Sequence, residues 1–256
     1  MSPQIIHLAE VDSTNRWLRD YTQPEGEEMT VCVADYQTAG KGCGSNTWES
    51  ERGKNLLFSL LIHPVEIPAQ EQFHISMATA LAVCQAMRDF GISDVLVKWP
   101  NDIYWHNRKL CGILIENRIS GSYLRDSIIG IGLNVNQTAF PSLTSVPASA
   151  ASNPCTTNPV PVSMCQILGH DIDREQILHH IIQQIKICPC MLEYTHLCYN
   201  AQLYRRRQGL FPFCDADGEF LAELLDTDRQ GNLYLRKADG TTRSYAFKEV
   251  QYLINR

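Results

Sequence analysis

Hydrophobic and polar residues follow two different periods along this chain of 256 residues. Between Glu71 and Phe90 the apolar side chains recur at helical spacing and Gly91 follows, which predicts an amphipathic helix that ends at this glycine. A second long helix is predicted over residues 171–192, and a further helix is predicted to begin near Asp12 to Asn15, whose side chains can cap it. Short apolar or β-branched runs predict strands at residues 31–34, 55–62, 95–97, 103–105, 110–115 and 127–135. This mixture predicts an α/β (α+β) fold.

The pattern changes to strands alone near residue 209. Apolar stretches at residues 221–225, 233–235 and 244–253 are separated by turns rich in Asp and Gly, which fits a small antiparallel barrel. We therefore expect two domains, residues 1–205 and residues 209–256. Residues 137–163 are rich in Pro, Ser, Thr and Ala without periodicity, which predicts a loop or a poorly ordered insert.

Charge and cysteine content narrow the class of protein. A net charge of −6 argues against a nonspecific nucleic-acid binder. No apolar run approaches membrane-spanning length and the N-terminus lacks the order of a signal peptide, so we expect a cytoplasmic protein without a membrane partner. The ten cysteines are scattered through apolar stretches, and most of them are expected to be small buried hydrophobes. Cys188, Cys190, His196 and Cys198 lack the usual zinc spacing, and we expect them to be structural.

Two segments contain residues that could form a binding or catalytic site. Between Lys98 and Glu116, two lysines lie at strand ends around a turn formed by Pro100, Asn101 and Asp102; the segment is either a hairpin with solvated lysines or the wall of a site. Between Tyr36 and Trp48, three glycines and a lysine follow a strand. The segment is either a loop that binds a phosphate or a flexible surface loop. A strand follows this loop, so it is neither a Walker loop nor a dinucleotide fingerprint.

Four motifs in one order resemble those of biotin protein ligases. They are Asp12 to Asn15, the loop from Gln37 to Trp48, Lys98 to Asp102 with Lys109 to Leu114, and Gly130 to Asn136. The resemblance runs from about His7 to the end, and it implies a mixed-sheet catalytic domain of the biotin/lipoate ligase type joined to a small SH3-like barrel. Some members of that family begin with a DNA-binding helix-turn-helix. Here the catalytic motifs start at residue 12, so we expect the single-function form, without DNA as a partner.

The resemblance implies a reaction in two steps. Biotin and ATP would form biotinyl-5′-AMP and pyrophosphate with Mg²⁺, and the biotinyl group would then pass to a lysine of a biotin carboxyl carrier protein or domain. Two alternatives remain open: a lipoate or octanoate ligase or transferase on the same fold, and a non-catalytic biotin sensor. A monomer and a homodimer are both compatible with the sequence. The C-terminal barrel could cap the catalytic domain or recognise the carrier.

The resemblance also implies roles for individual residues. Biotin binding is expected at Ser13, Thr14, Asn15, Gln37, Lys41, Gly42, Cys43, Lys109 and Gly112. ATP binding is expected at Trp48, Lys98, Asn101 and Asn134. Lys109 is the first candidate for catalysis and Lys41 the second, because both reacting partners are anions and need cationic donors. Asp102 could orient a lysine or help hold Mg²⁺.

The glycine loop departs from the family pattern. Lys41 replaces an arginine, and Cys43, Gly44, Ser45 and Asn46 stand where many members place further arginines. A lysine keeps the charge but loses the bidentate fork, so either the remaining lysines and Mg²⁺ suffice or phosphate binding is weaker. Cys43 is expected to be a tolerated small residue rather than a reactive thiol. The density of glycine predicts that biotin binds first and that the loop then closes over ATP.

Overall fold

The computed structural model describes residues 3–44, 46–140, 160–187 and 192–254. Within these ranges the chain forms an eight-stranded and a five-stranded sheet. The strands of the first, main sheet are β1 (Gln4–Leu8), β2 (Met29–Ala34), β3 (Leu56–Ile62), β4 (Val95–Lys98), β5 (Asp102–Trp105), β6 (Arg108–Ser120), β7 (Tyr123–Leu133) and β8 (Val160–Pro161). The helices are α1 (Thr14–Asp20), α2 (Phe73–Asp89), α3 (Met164–Leu168), α4 (Arg174–Ile187) and α5 (Leu192–Ala201), with a 3₁₀ turn at Ala69–Glu71.

The main sheet is mixed, as expected. Its strand order is β1-β2-β3-β7-β6-β5-β4, and β8 pairs with β6 beside this path. β1 pairs with β2 and β8 pairs with β6 in parallel, whereas the other ladders are antiparallel. All six strands predicted from apolar runs are present, and β6 and β7 are longer than predicted because they continue into a hairpin with more polar ends.

Helices cover both faces of this sheet, and side chains that alternate along its strands pack against them. In β2, Val31 and Val33 belong to a large buried cluster together with residues of α2 and α4. Cys32, between them, packs with Leu18 of α1 in a second cluster. Successive side chains of a strand point to opposite faces, so α1 covers one face of the sheet and α2 with α4 covers the other.

The helix predictions are mostly confirmed. α2 ends at Asp89, and Gly91 has a φ of 84°, the left-handed conformation that favours glycine after a helix. The single helix predicted over residues 171–192 was wrong in extent, because α4 begins at Arg174 and a further helix, α5, begins at Leu192. Cys188 and Cys190 lie outside the described residues.

The C-terminal sheet contains β9 (Phe211–Asp215), β10 (Gly218–Thr227), β11 (Leu233–Lys237), β12 (Thr242–Tyr245) and β13 (Gln251–Tyr252). Its order is β12-β11-β10-β9-β13, with antiparallel pairing throughout. The single strand predicted over residues 244–253 was wrong, because a turn in which Lys248 has a φ of 72° separates β12 from β13. β9 was not predicted, since Pro212 interrupts its apolar pattern.

The two sheets share one hydrophobic cluster. Phe213, Leu224 and Tyr252 of the C-terminal sheet belong to the same continuous cluster as Trp99 and the residues under α2. The C-terminal sheet is therefore packed directly against the segment that follows β4. Most of the predicted insert, residues 141–159, lies outside the described residues, and its end forms β8. Among the described helices, none is long and apolar enough to span a membrane.

Candidate active site

The structure brings the four sequence motifs together around one end of β5, β6 and β7. Asn101 donates to the thiol of Cys43 in the glycine loop, over 2.9 Å. Trp48, at the end of that loop, packs on β6 and β7, and Asn15 of α1 donates to the carbonyl of Leu114 in β6. Segments far apart in the chain thus form one surface.

Two lysines share one carboxylate at this surface. Lys109 Nζ lies 2.6 Å from Oδ1 of Asp102, and Lys98 Nζ lies 3.9 Å from Oδ2 of the same residue. Lys98 Nζ also lies 5.0 Å from the ring centre of Tyr252 and 5.5 Å from that of Tyr104. Two ammonium groups against one carboxylate leave excess positive charge in a partly buried place, which favours an anionic ligand.

Burial changes the protonation equilibrium of Lys98. Removal from water lowers the pKa of its ammonium group, and the like charge of Lys109 acts in the same direction. Attraction to Asp102 opposes both effects without cancelling them. Lys98 therefore loses its proton at a lower pH than an ordinary lysine.

The geometry of Asp102 bears on its two possible roles. Both of its carboxylate oxygens face lysines, so it is placed to orient them. Among the described residues, no group of three or more His, Cys, Asp or Glu side chains could hold a metal ion. The residues present thus fit a protein-held Mg²⁺ poorly and fit a lysine-orienting carboxylate well.

Two glycines form the floor of the site. Gly112 of β6 and Gly132 of β7 are direct partners in the antiparallel ladder. The indole of Trp48 lies on them, since a methyl group built on Gly112 or Gly132 would stand 2.9 Å or 2.6 Å from its ring atoms. Lys109 Nζ is 5.6 Å from the same ring. Only glycine allows a flat group this close to the strands.

The buried nitrogen of Trp48 lacks a partner. Its Nε1 atom is inaccessible to water and forms no hydrogen bond with any described residue. An unpaired buried donor costs about 1–3 kcal/mol. The indole is therefore held by its contacts with the glycine floor and not by a polar anchor.

A polar cluster lies at the start of α1. Gln37 Oε1 accepts hydrogen bonds from the backbone nitrogen of Thr14 over 2.8 Å and from its hydroxyl over 3.1 Å. Ser59 Oγ of β3 lies 2.7 Å from Thr14 Oγ1 and 2.6 Å from Asn15 Oδ1. Because Gln37 uses its oxygen within the cluster, its amide N–H groups remain for a ligand.

Two further residues complete this cluster. Ser13 occupies the N-cap position of α1 and is buried, but its side chain makes no capping hydrogen bond to the helix. Gly130 of β7 faces Asn15 so closely that any Cβ at this position would overlap the amide. Sequence analysis missed Ser59, although a lone polar residue within the apolar stretch of β3 could have indicated it.

Backbone contacts close the glycine loop. Trp48 N donates to Gly40 O over 3.0 Å, and Gly42 N donates to Asn46 O over 2.8 Å. Lys41 is exposed and forms no ion pair with a carboxylate of the described residues. The loop thus presents a lysine to the solvent side of the site.

Asn101 joins the loop to the sheet. Its side-chain nitrogen contacts Cys43 Sγ and the carbonyl of Ile113 in β6. Burial raises the pKa of the Cys43 thiol, and the hydrogen bond from Asn101 opposes this only in part. A thiol that keeps its proton is a poor nucleophile, which agrees with the expectation that Cys43 is not reactive.

Asn134 contacts the backbone of the site and not its open face. It is buried, and its side-chain nitrogen donates to the carbonyl of Val162 over 3.2 Å and to that of Lys109 over 3.4 Å. The structure therefore places it beneath the backbone of Lys109. Asn55, which sequence analysis missed, is fully buried beside it and donates to Gln137 over 2.6 Å.

Comparisons with known proteins point to one group. A model of the biotin/lipoate A/B protein ligase family matches residues 8–134. The bifunctional ligase/repressor BirA of Bacillus subtilis (strain 168) is 28% identical over 256 residues, which cover 96% of this chain and 73% of that protein. The biotin–[acetyl-CoA-carboxylase] ligase of Mycobacterium tuberculosis is 31% identical over 138 residues, 52% of this chain and 50% of that protein.

Solved structures share the fold. The biotin protein ligase from Aquifex aeolicus, in complex with biotin and ATP, superposes with a TM-score of 0.75 at 24% identity. The superposition covers 98% of this chain and 99% of that chain, so both sheets are included.

Proposed function

The chain belongs to the biotin/lipoate A/B protein ligase family, and we propose that it joins biotin to ATP and then transfers the biotinyl group to a carrier lysine. By enzyme class it is an ATP-dependent biotin ligase, as relatives that bear this name indicate. The observation that carries the proposal is the pair of lysines, Lys98 and Lys109, held around Asp102 next to a floor of glycine.

In the first step, an oxygen of the biotin carboxylate attacks the α-phosphorus of ATP. A carbon–oxygen–phosphorus anhydride forms, the bond to the β-phosphate bridge breaks, and pyrophosphate leaves with the electron pair. Because both partners are anions, a cation must offset their repulsion and the charge that builds on phosphate. We assign this role to Lys109, whose ammonium is fixed by Asp102 over 2.6 Å. Lys41, exposed on the glycine loop, is the second cation.

In the second step, the amine of a carrier lysine attacks the biotinyl carbonyl. A carbon–nitrogen bond forms, the carbon–oxygen bond to phosphate breaks, and AMP leaves with the electron pair while the amine loses a proton. The acceptor is a biotin carboxyl carrier protein or domain in this proposal. Either a monomer or a homodimer could perform both steps.

The polar cluster at α1 suits the head group of biotin. A ureido ring offers two N–H donors and one carbonyl acceptor, and Ser13, Thr14, Asn15 and Gln37 present hydroxyl and amide groups that can match them. We place the rest of biotin along Gly42, Cys43 and Gly112, the last of which lies against the side chain of Lys109. A linear fatty acyl chain offers no acceptor for the remaining donors of this cluster, such as the amide N–H groups of Gln37, so the cluster favours biotin over lipoate or octanoate.

The nucleotide would lie beneath the glycine loop. We place it near Trp48, Lys98 and Asn101, with Asn134 acting through the backbone of Lys109. Mg²⁺ would enter as MgATP, bound by the phosphates rather than by a protein site. Trp48 lies on the glycine floor with an unpaired Nε1, which supports a scheme in which the loop rearranges when biotin binds and then builds the ATP site.

One assay tests this function. The protein is given MgATP, labelled pyrophosphate and either biotin, lipoate or octanoate, and label exchanged into ATP is counted. We expect exchange with biotin and little with the two other acids. A second assay follows transfer of labelled biotin to a carrier domain. Exchange with lipoate but not biotin would instead assign the protein to the alternative activity, and absence of exchange despite tight biotin binding would identify a sensor.

The order of binding needs its own measurement. Binding of an uncleavable MgATP analogue, with a methylene group at the α,β bridge, is titrated with and without saturating biotin. We expect biotin to raise the affinity for nucleotide about tenfold or more, the size of a typical coupling between sites. Equal affinities in the two titrations would contradict the ordered scheme while leaving the reaction itself intact.

A further inference from the structure

The C-terminal sheet places one lysine against the glycine loop. A methyl group built on Gly44 would stand 2.6 Å from Lys248 Nζ and 3.0 Å from its Cε. The ammonium group therefore touches the loop from the other sheet. No feature of the local sequence around Lys248 indicates this contact, because it arises only when the two sheets pack.

The turn that carries Lys248 is held close to the site. Lys248 has a φ of 72° between β12 and β13. The preceding Phe247 packs edge-to-face on Trp99 with ring centres 6.4 Å apart. Trp99 in turn donates from Nε1 to the carbonyl of Gly231 over 2.8 Å. Because Trp99 lies next to Lys98 and within two residues of Asn101, the turn is anchored on the segment that forms the candidate site.

Among the described residues, no carboxylate pairs with the charge of Lys248, whose ammonium group lies 5.7 Å from the ring centre of Phe247. Its side chain is exposed. The carboxylate of its neighbour, Glu249, instead accepts a hydrogen bond from Ala246 N over 2.8 Å. An unpaired ammonium group at the edge of a site is available to bind an anion.

The glycine loop lacks this charge. Residues 43 to 46 are Cys, Gly, Ser and Asn, so Lys41 is the cation that the loop itself contributes. Lys248 and Lys109 both act on Cys43, where their positive charges oppose the effect of burial on the thiol. Lys248 and Lys109 are therefore both close enough to Cys43 for their charges to affect the same thiol.

We propose that Lys248 binds the phosphates of ATP and supplies from the C-terminal sheet a positive charge that the glycine loop does not carry. The inference rests on the proposed function for the nature of the ligand, which is the polyphosphate chain of a nucleoside triphosphate. It also gives the C-terminal sheet a direct part in the first step, beyond covering the main sheet.

The test compares three variants with the natural protein: Lys248→Gln, Lys248→Arg and, as a control, Lys237→Gln. Lys237 lies on β11 of the same sheet, where its ammonium faces Asp215 and the ring of Phe220, so its replacement removes the same charge away from the loop. KM for ATP and KM for biotin are measured by pyrophosphate exchange. Direct binding of an ATP analogue with a methylene group at the α,β bridge, which cannot react with biotin, gives the dissociation constant in the presence of biotin independently of catalysis.

We expect Lys248→Gln to raise KM and the dissociation constant for ATP about tenfold, the loss of roughly one charge-assisted hydrogen bond, with KM for biotin nearly unchanged. Lys248→Arg and Lys237→Gln should stay near the natural values. The inference is overturned if Lys248→Gln leaves ATP binding unchanged, if Lys237→Gln weakens it equally, or if Lys248→Arg is as weak as Lys248→Gln.

A rescue variant separates a charge effect from a folding effect. Asn46→Arg returns a cation to an exposed position of the loop, and combined with Lys248→Gln it should recover most of the ATP affinity. Failure to recover, or a loss of thermal stability in Lys248→Gln that accounts for weaker binding, would count against the inference. If the natural protein binds MgATP but shows no exchange with biotin, the proposed function fails while the binding data still decide the role of Lys248.

Discussion

Lys109 Nζ and Asp102 Oδ1 lie 2.6 Å apart, and the β5–β6 ladder sets this contact by pairing Asp102 with Gly112. A shift in register between Ile103 and Tyr104 brings Lys109, rather than Leu110, opposite Tyr104. The irregularity therefore orients the lysine toward the site. Bulges commonly have this effect next to active sites.

The first prediction concerns Lys109. Lys109→Ala should lower biotin-dependent pyrophosphate exchange by at least about a hundredfold, because it removes a cation that stabilises charge in the transition state. Asp102→Asn should have a smaller effect of about tenfold, since the lysine remains but loses its orienting partner. Both variants should bind biotin measurably. Exchange at the natural rate in Lys109→Ala would place the catalytic cation elsewhere.

A second prediction concerns the pH dependence given by Lys98. Burial lowers the pKa of its ammonium, so activity that needs this charge should fall as the pH rises through that lowered value, below the 10.5 of an ordinary lysine. Burial raises the pKa of Tyr104 and Tyr252, so these neighbours stay neutral in this range. The measurement is the exchange rate as a function of pH.

Lys98→Arg is the matched variant for this profile. A guanidinium group stays charged across this pH range. The fall in exchange activity at alkaline pH should therefore move to higher pH or vanish. Stability should change in the opposite direction to activity. Between the lowered pKa and 10.5 the unfolded chain binds more protons than the native protein, so the free energy of unfolding should rise with pH there. An alkaline fall unchanged in Lys98→Arg would assign it to another group.

The third prediction concerns the contact between Trp48 and Gly132. Gly132→Ala places a methyl group 2.6 Å from the indole ring, so it should displace the ring and raise KM for ATP about tenfold. In a Trp48→Ala background the same substitution should raise KM for ATP much less, because the ring is absent. A double-mutant cycle on KM measures this coupling. Equal effects in the two backgrounds would show that Gly132 acts through something other than Trp48.

The fourth prediction concerns Ser59. Ser59→Ala removes the hydroxyl that contacts Thr14 and Asn15, which should raise KM for biotin about tenfold and lower stability by about 1–2 kcal/mol. The matched control is Ser127→Ala, which removes a buried hydroxyl that donates to Asn117 over 2.7 Å on the neighbouring strands. It should lower stability similarly without changing KM. Similar KM values in both variants would contradict a role of Ser59 in biotin binding.

Local features of the sequence determined much of this protein. The end of α2 at Gly91 and the positions of β2 to β7 follow from glycine and apolar periodicity, which act over a few residues. The start of α1 was also predicted, although the Ser13 side chain makes no capping hydrogen bond, and β1 was not predicted. The order of four short motifs likewise identified the family, because residue types and spacing are fully visible in the chain. The split between β12 and β13 was not visible, since Lys248 adopts a left-handed conformation that its residue type does not favour.

Tertiary structure alone decided how these parts meet. Strand register places Asp102 beside Lys109 and Gly112 opposite Gly132, and the choice among registers depends on the packing of whole strands. Packing of the second sheet brings Lys248 to Gly44, a contact that joins residues at opposite ends of the chain. Periodicity and turn chemistry act locally, whereas the charge and shape of the site are set by contacts between distant segments, and these form only when both sheets share one core.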